Sequence, residues 1–205
     1  MASSLVGGLG AICLFLAGVG LTLFVRYRWQ TRIRRALAAD LDERLAAALP
    51  TGTASHLEQS PTIRRLAVVD TRGDNETETP VYVPIVRVDL ETTDAPGMKL
   101  LLEYVAAVLE AIHPVLEARE EAVHHYDVEF TFGPDGLFVE GECRRVSVAP
   151  ELADQLLESA RYGPFELWRD VKRADSNGDS PTALWSDCRS YRGRRPAAEN
   201  TRDED

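Results

Sequence analysis

From Leu5 to Val25 (LVGGLGAICLFLAGVGLTLFV) the chain runs 21 residues without a charged side chain. Coiled as a helix at about 1.5 Å per residue, that stretch reaches about 31 Å, the thickness of a bilayer's hydrocarbon core. It predicts a single transmembrane helix, and everything after it must be read as attached to a membrane. A secretory signal would place basic residues ahead of a shorter apolar run and a small-residue cleavage site behind it. Here no Lys or Arg precedes the run and arginines follow it at once, which predicts an uncleaved anchor.

Those arginines set the expected orientation. Arg26, Arg28, Arg32, Arg34 and Arg35 crowd the C-terminal flank, and the positive-inside bias then puts the N-terminus outside and the remaining chain in the cytoplasm. Tyr27 and Trp29 lie between them and suit the headgroup zone, where a ring keeps one edge dry and one wet. The lipid bilayer is therefore the first expected partner. Gly7, Ala11 and Gly18 fall near one helical face, which leaves a homodimer through the span open.

The five arginines of the flank account for part of the 23 basic residues, so 18 remain after Arg35 against all 33 acidic ones, a net of −15. A body this acidic argues against nucleic acid as a partner. Only Lys99 and Lys172 are lysines. An acidic, lysine-poor surface resembles the composition of proteins from salt-filled cytoplasm, where screening makes dense like charge tolerable. Cys13, Cys143 and Cys188 show no paired or metal-type spacing, so neither a disulfide framework nor a zinc site is expected, in keeping with a reducing compartment.

Periodicity divides the chain into residues 1–30 as anchor and basic flank, 31–61 as a juxtamembrane amphipathic helix and linker, 62–173 as a soluble α+β domain, and 174–205 as a disordered tail. Ile33, Leu37, Leu41, Leu45 and Leu49 recur every four residues and mark the first helix. Ile63–Asp70 and Val81–Leu90 are β-branched strands joined by a polar loop, and Pro84 suggests that the second lies at an edge or carries a bulge. Asp94 is the expected N-cap of the strongest helix, whose apolar stripe runs from Met98 to Leu116, with His113 placed on the polar side and Pro114 expected to kink or end it. Tyr126, Val128, Phe130 and Phe132 alternate with Asp127, Glu129 and Thr131, a half-buried strand with its acids toward solvent. A following strand through Cys143 is expected to change parity near Arg144-Arg145, as a bulge would make it. Helices over Pro150–Arg161 and Pro164–Arg173 complete a ββαββα order, expected to form a mostly antiparallel sheet with helices on one face.

Chemistry is sparse. His124 beside Asp127 and Glu129 is the densest set of functional groups and the only candidate ligand set, against a solvated strand face as the simpler reading. Arg144 and Arg145 with Glu140 and Glu142 suggest cross-strand charge pairing. There is no glycine-rich phosphate loop, nucleophile elbow or HExxH, and no catalytic residue, cofactor or metal is expected. These features predict a non-catalytic interaction or scaffold module on the cytoplasmic face, with an unidentified membrane or cytoplasmic protein as partner. Two alternatives remain: a small-ligand or enzymatic domain using the acidic and histidine face, and an envelope component with the domain outside and a glycosylated Asn75.

Overall fold

The computed structural model describes residues 28–29, 31–52, 56–73, 79–92, 94–133, 141–178 and 181–188. The apolar stretch Leu5–Val25, with Arg26 and Tyr27, lies outside the described residues; among those described, no helix is long and apolar enough to cross a membrane. The chain divides into two compact units, residues 1–39 and 40–205. Helix α1 covers 31–48, with 28–29 also helical. Trp29, Arg32 and Arg35 are exposed, and Leu37, Leu41 and Leu45 form its buried stripe. Within the second unit, Asp42 accepts a hydrogen bond from the Ile63 backbone N–H at 2.6 Å, and Asp40 pairs with Arg119 at 2.6 Å.

The second unit is α+β with a mixed sheet. Strands β1 (Thr62–Arg72) and β2 (Thr79–Asp89) form an antiparallel hairpin. Helix α2 (Met98–Ala118) then crosses over to β3 (Ala122–Val123) and β4 (Tyr126–Phe132), both parallel to β2. Strand β5 (Glu142–Val148) returns antiparallel to β4, helices α3 (Pro150–Glu158) and α4 (Pro164–Asn177) follow, and β6 (Ala183–Asp187) closes the order β1-β2-β4-β5-β6. The sheet is mixed: the pairings β1–β2, β4–β5 and β5–β6 are antiparallel, as in the expected mostly antiparallel arrangement, while β2 joins β3 and β4 in parallel, which needs a long crossover such as α2.

Pro84 sits in the sheet interior rather than at an edge. It is tolerated because pairing of β2 with β3 ends at Tyr82 and pairing with β4 begins at Ile85, so the missing N–H falls where no ladder bond is made on that side. Pro114 likewise does not end α2, which runs on to Ala118. The carbonyl it leaves unbonded belongs to Glu110, an exposed residue, where water can serve it. Asp94 does not cap this helix; Gly97 is the N-cap, without a side-chain hydrogen bond. At α4 the entry is firmer, because Glu166 Oε2 accepts the Gly163 N–H at 3.1 Å. Gly178, at φ 73°, ends that helix in the left-handed conformation that glycine adopts freely.

A structureless tail from residue 174 is also corrected. Residues 174–177 complete α4, and β6 adds a strand beyond it. The register of β6 on β5 shifts between Arg145 and Ser147, and Trp185 takes φ 60° there, turning its ring onto Phe132 in a stack 5.7 Å between centroids. Residues 189–205 lie outside the described residues.

One face of the sheet is the main core. Val86, Val88, Tyr126, Val128, Phe130, Val146 and Val148 are buried on it, and His113 of α2 touches Tyr126 from above. Helices α2, α3 and α4 pack on one another, with α2 also against β4 and α4 against β6. The other face is apolar along the first hairpin, where Ala67, Val83 and Ile85 cluster with Val69. Along the second hairpin it becomes polar.

Candidate functional site: a buried charged face and two openings

Strict alternation in β4 sends Asp127, Glu129 and Thr131 to the face away from α2. The register sets Ser147 and Arg145 of β5 opposite Asp127 and Glu129, and Arg87 and Asp89 of β2 opposite Glu129 and Thr131. No slip of parity occurs between β4 and β5: the ladder is unbroken from Tyr126↔Val148 to Phe132↔Glu142. The apparent change came from joining residues 134–140, which lie outside the described residues, to a strand that starts only at Glu142.

The acids do not face solvent. Asp127 and Glu129 are both 0% exposed, and Arg145, at 1%, is among the largest fully buried side chains. Arg145 NH1 donates to Asp127 Oδ1 at 3.1 Å and to Ser147 Oγ, while its Nε donates to the Asp187 carbonyl at 2.9 Å. Ser147 Oγ in turn donates to Asp127 Oδ1 at 2.5 Å. Arg64 NH1 meets Glu129 Oε2 at 2.5 Å. Arg144, one residue from the network, pairs outward with Asp187 and with Glu142 at 3.6 Å. Guanidinium is the cation suited to this work, because it carries several donors in a rigid fork and satisfies more than one acceptor at once.

His125, 3% exposed, brings Nε2 to 3.4 Å from Asp127 Oδ1. His124 is exposed, and its Nδ1 lies 2.8 Å from that of His125 with the rings in edge contact. Extended backbone would have pointed the two rings apart, but residues 124–125 occupy the bend between β3 and β4. Although the residue is exposed, partial desolvation of its ring first, and the neighbouring His125 second, hold the His124 pKa below the ordinary histidine value.

A serine, an aspartate and a histidine are thus gathered, but their hydrogen bonds do not follow the serine–histidine–aspartate order of a catalytic triad. In such a triad the imidazole takes the serine's proton. Here the Ser147 proton goes to Asp127, the serine oxygen accepts from Arg145, and His125 meets the same carboxylate from another side. Of the three residues singled out from the sequence, Asp127 and Glu129 lie in this network, and His124 reaches it only through His125. Ser147 and Arg64 were missed; Arg145 was expected to pair with charges across the strands, and it does, with Asp127 rather than Glu140 or Glu142.

A second polar cluster lies on the helix side. His113, expected on the polar face of α2, is 6% exposed, with Nδ1 at 2.6 Å from the Tyr126 hydroxyl and Nε2 at 2.7 Å from Asp154 Oδ1. Burial first, and the Asp154 and Glu117 charges after it, raise the Tyr126 pKa far above its usual value, so the phenol keeps its proton. The three side chains tie α2, β4 and α3 together.

Cys143 and Cys188 form a disulfide, with Cα atoms 5.7 Å apart. This overturns the expectation of unpaired thiols; Cys13 lies outside the described residues. The bridge fastens the end of β6 to β5.

Two openings stand out among the described residues. A polar one of about 350 Å³ lies at the C-terminal ends of β2 and β4, among Glu58, Gln59, Arg87, Asp89 and Thr131. Gln59 and Thr131 both donate to Asp89 there. The other, of about 420 Å³, is an apolar groove between the first turns of α2 and α4, formed by Met98, Leu102, Pro164, Phe165 and Trp168 with Lys99 and Glu103 at its rim. Phe165 is 64% exposed with its ring 5.6 Å from that of Trp168, and Lys172 Nζ lies 5.0 Å over the Trp168 ring. The chain's two lysines therefore flank one groove. Comparison of the chain with protein-family profiles, curated proteins and solved structures finds no match.

Proposed function

We propose that the chain is a membrane-tethered, non-catalytic interaction module whose α+β domain docks a membrane protein through the groove between α2 and α4. The observation that carries this reading is the contrast between the two faces. The acids and bases best suited to chemistry are buried and paired with one another, whereas Phe165 and Trp168 offer aromatic surface at an opening. Exposed aromatic side chains over an apolar cleft are the usual anchors of protein recognition. The tether is the apolar stretch Leu5–Val25, and the arginines from Arg26 to Arg35 support an inner-leaflet position for the domain.

A photocrosslinking residue at Phe165, in membranes from cells making the full chain, is expected to give one discrete adduct with an integral membrane protein. Trp168→Glu should abolish that adduct while leaving the domain's circular dichroism unchanged. Adducts scattered over many proteins, or purified protein that turns over a small molecule, would sink the reading.

The disulfide favours a second reading in which the domain lies outside. Bridges of this kind persist in oxidising compartments and are rare where thiols are kept reduced, and a loop exposed there could carry glycan on Asn75. An impermeant amine reagent applied to unbroken cells separates the two through Lys99, whose side chain is 90% exposed. Protection supports the inner position, and labelling moves the domain to the outer side.

A further inference from the structure

We propose that reduction of the Cys143–Cys188 bridge opens a site for one zinc ion, held by the two thiolates and the Glu129 carboxylate. The sulfur atoms and a carboxylate oxygen of Glu129 already lie within 4.8 Å of one another. Ligands around tetrahedral zinc, at about 2.0–2.3 Å from the metal, stand roughly 3.5–3.8 Å apart. Rotation about the side-chain bonds of two partly buried cysteines covers the difference. The three ligands come from β4, β5 and the residue after β6, so a bound ion would join the same elements that the disulfide joins.

Glu129 supplies the independent reason. Its Oε2 is met by Arg64, but Oε1 is buried and has no hydrogen-bond partner among the described residues. A buried acceptor without a donor is unfavourable by about 1–3 kcal/mol. Disulfide sulfur has no proton to give it, whereas a thiol or a cation meets the need. The charge balance is also preserved. In the oxidised form the Glu129 anion is neutralised by Arg64; in the metal form two thiolates and one carboxylate carry three negative charges against the two of zinc and the one of Arg64.

The interconversion is a two-electron step. A dithiol reductant transfers two electrons and two protons to the bridge, the S–S bond breaks, and the reductant leaves as its own disulfide. Zinc then displaces the two thiol protons as it binds.

The test uses the full-length chain, reduced and freed of reductant without air, with Co²⁺ as the spectroscopic probe and Zn²⁺ as competitor. The reduced chain is expected to take up one equivalent of Co²⁺ with a thiolate-to-cobalt charge-transfer band that Zn²⁺ abolishes, and the oxidised chain to show no such band. Reduced Glu129→Gln should bind more weakly by at least the roughly tenfold that even an outer partner of a metal site is worth. The variant with both Cys143→Ser and Cys188→Ser should lose the band although Cys13 remains. If the reduced chain loses structure, Zn²⁺ should restore its circular dichroism. Absence of the band from the reduced chain, its persistence in the double serine variant, or failure of Zn²⁺ to restore lost structure would each overturn the proposal.

Discussion

Arg145→Ala is expected to lower the unfolding free energy by about 3–5 kcal/mol, the usual consequence of removing one partner from a buried ion pair. The reason lies in what stays behind. Asp127 is 0% exposed, and without Arg145 NH1 it keeps only the Ser147 hydroxyl and His125 among the partners described above; the Asp187 carbonyl loses its donor as well. For a domain with a total stability of about 5–15 kcal/mol, this is a large share. Urea unfolding followed by tryptophan fluorescence measures it directly. Replacing the pair together, as Arg145→Met with Asp127→Leu, should recover only part of the loss: a hydrophobic pair needs no counter-charge, but the Ser147 hydroxyl and the Asp187 carbonyl still lose the partners described above. A single variant within about 1 kcal/mol of the parent would place the guanidinium in water and remove the reading of this face as sealed.

The second large effect concerns the bridge. Cys143 and Cys188 are 45 residues apart in the chain, and closing a loop of that length is worth about 4 kcal/mol in the chain-entropy account of disulfide stabilisation. The double variant Cys143→Ser, Cys188→Ser should therefore melt roughly 10 °C below the oxidised parent. The loss should appear first around β6, where Trp185 leaves its stack on Phe132, so the tryptophan signal is expected to shift before the far-ultraviolet dichroism collapses. An unchanged melting temperature in oxidised parent and variant would mean that β6 is held by its strand pairing alone.

Much of the scaffold could be read from periodicity. The bounds of β4 and the apolar stripe of α2 follow from repeats of two and of about 3.6 residues, because those segments each have one face on the common core. The parallel join of the hairpins was not legible, since strand order depends on contacts that leave no periodic trace. The polar face was misread for a more instructive reason. Alternation in Tyr126–Phe132 reports which side chains are polar, and polarity was taken for exposure. A face whose carboxylates meet guanidinium from the neighbouring strand has the same pattern as one that meets water. Pro84 misled similarly: proline excludes a ladder bond on one side, and an interior strand that changes partners between Tyr82 and Ile85 has a place where none is needed. The cysteine pair had no local signature at all, because a bridge between β5 and the residue after β6 is set by the fold and not by spacing.

The parallel contact between β2 and β4 has a consequence for synthesis. A ribosome that has released residues only through α2 leaves β2 with its inner rim bare, offering backbone donors and acceptors beside Val83 and Ile85 to any passing strand. That rim is covered only after β4 emerges, some 40 residues behind the end of β2 as the numbering runs from Asp89 to Phe132. Nascent chains should need shelter during that interval, and stalling within α2 should be the point at which they aggregate most readily.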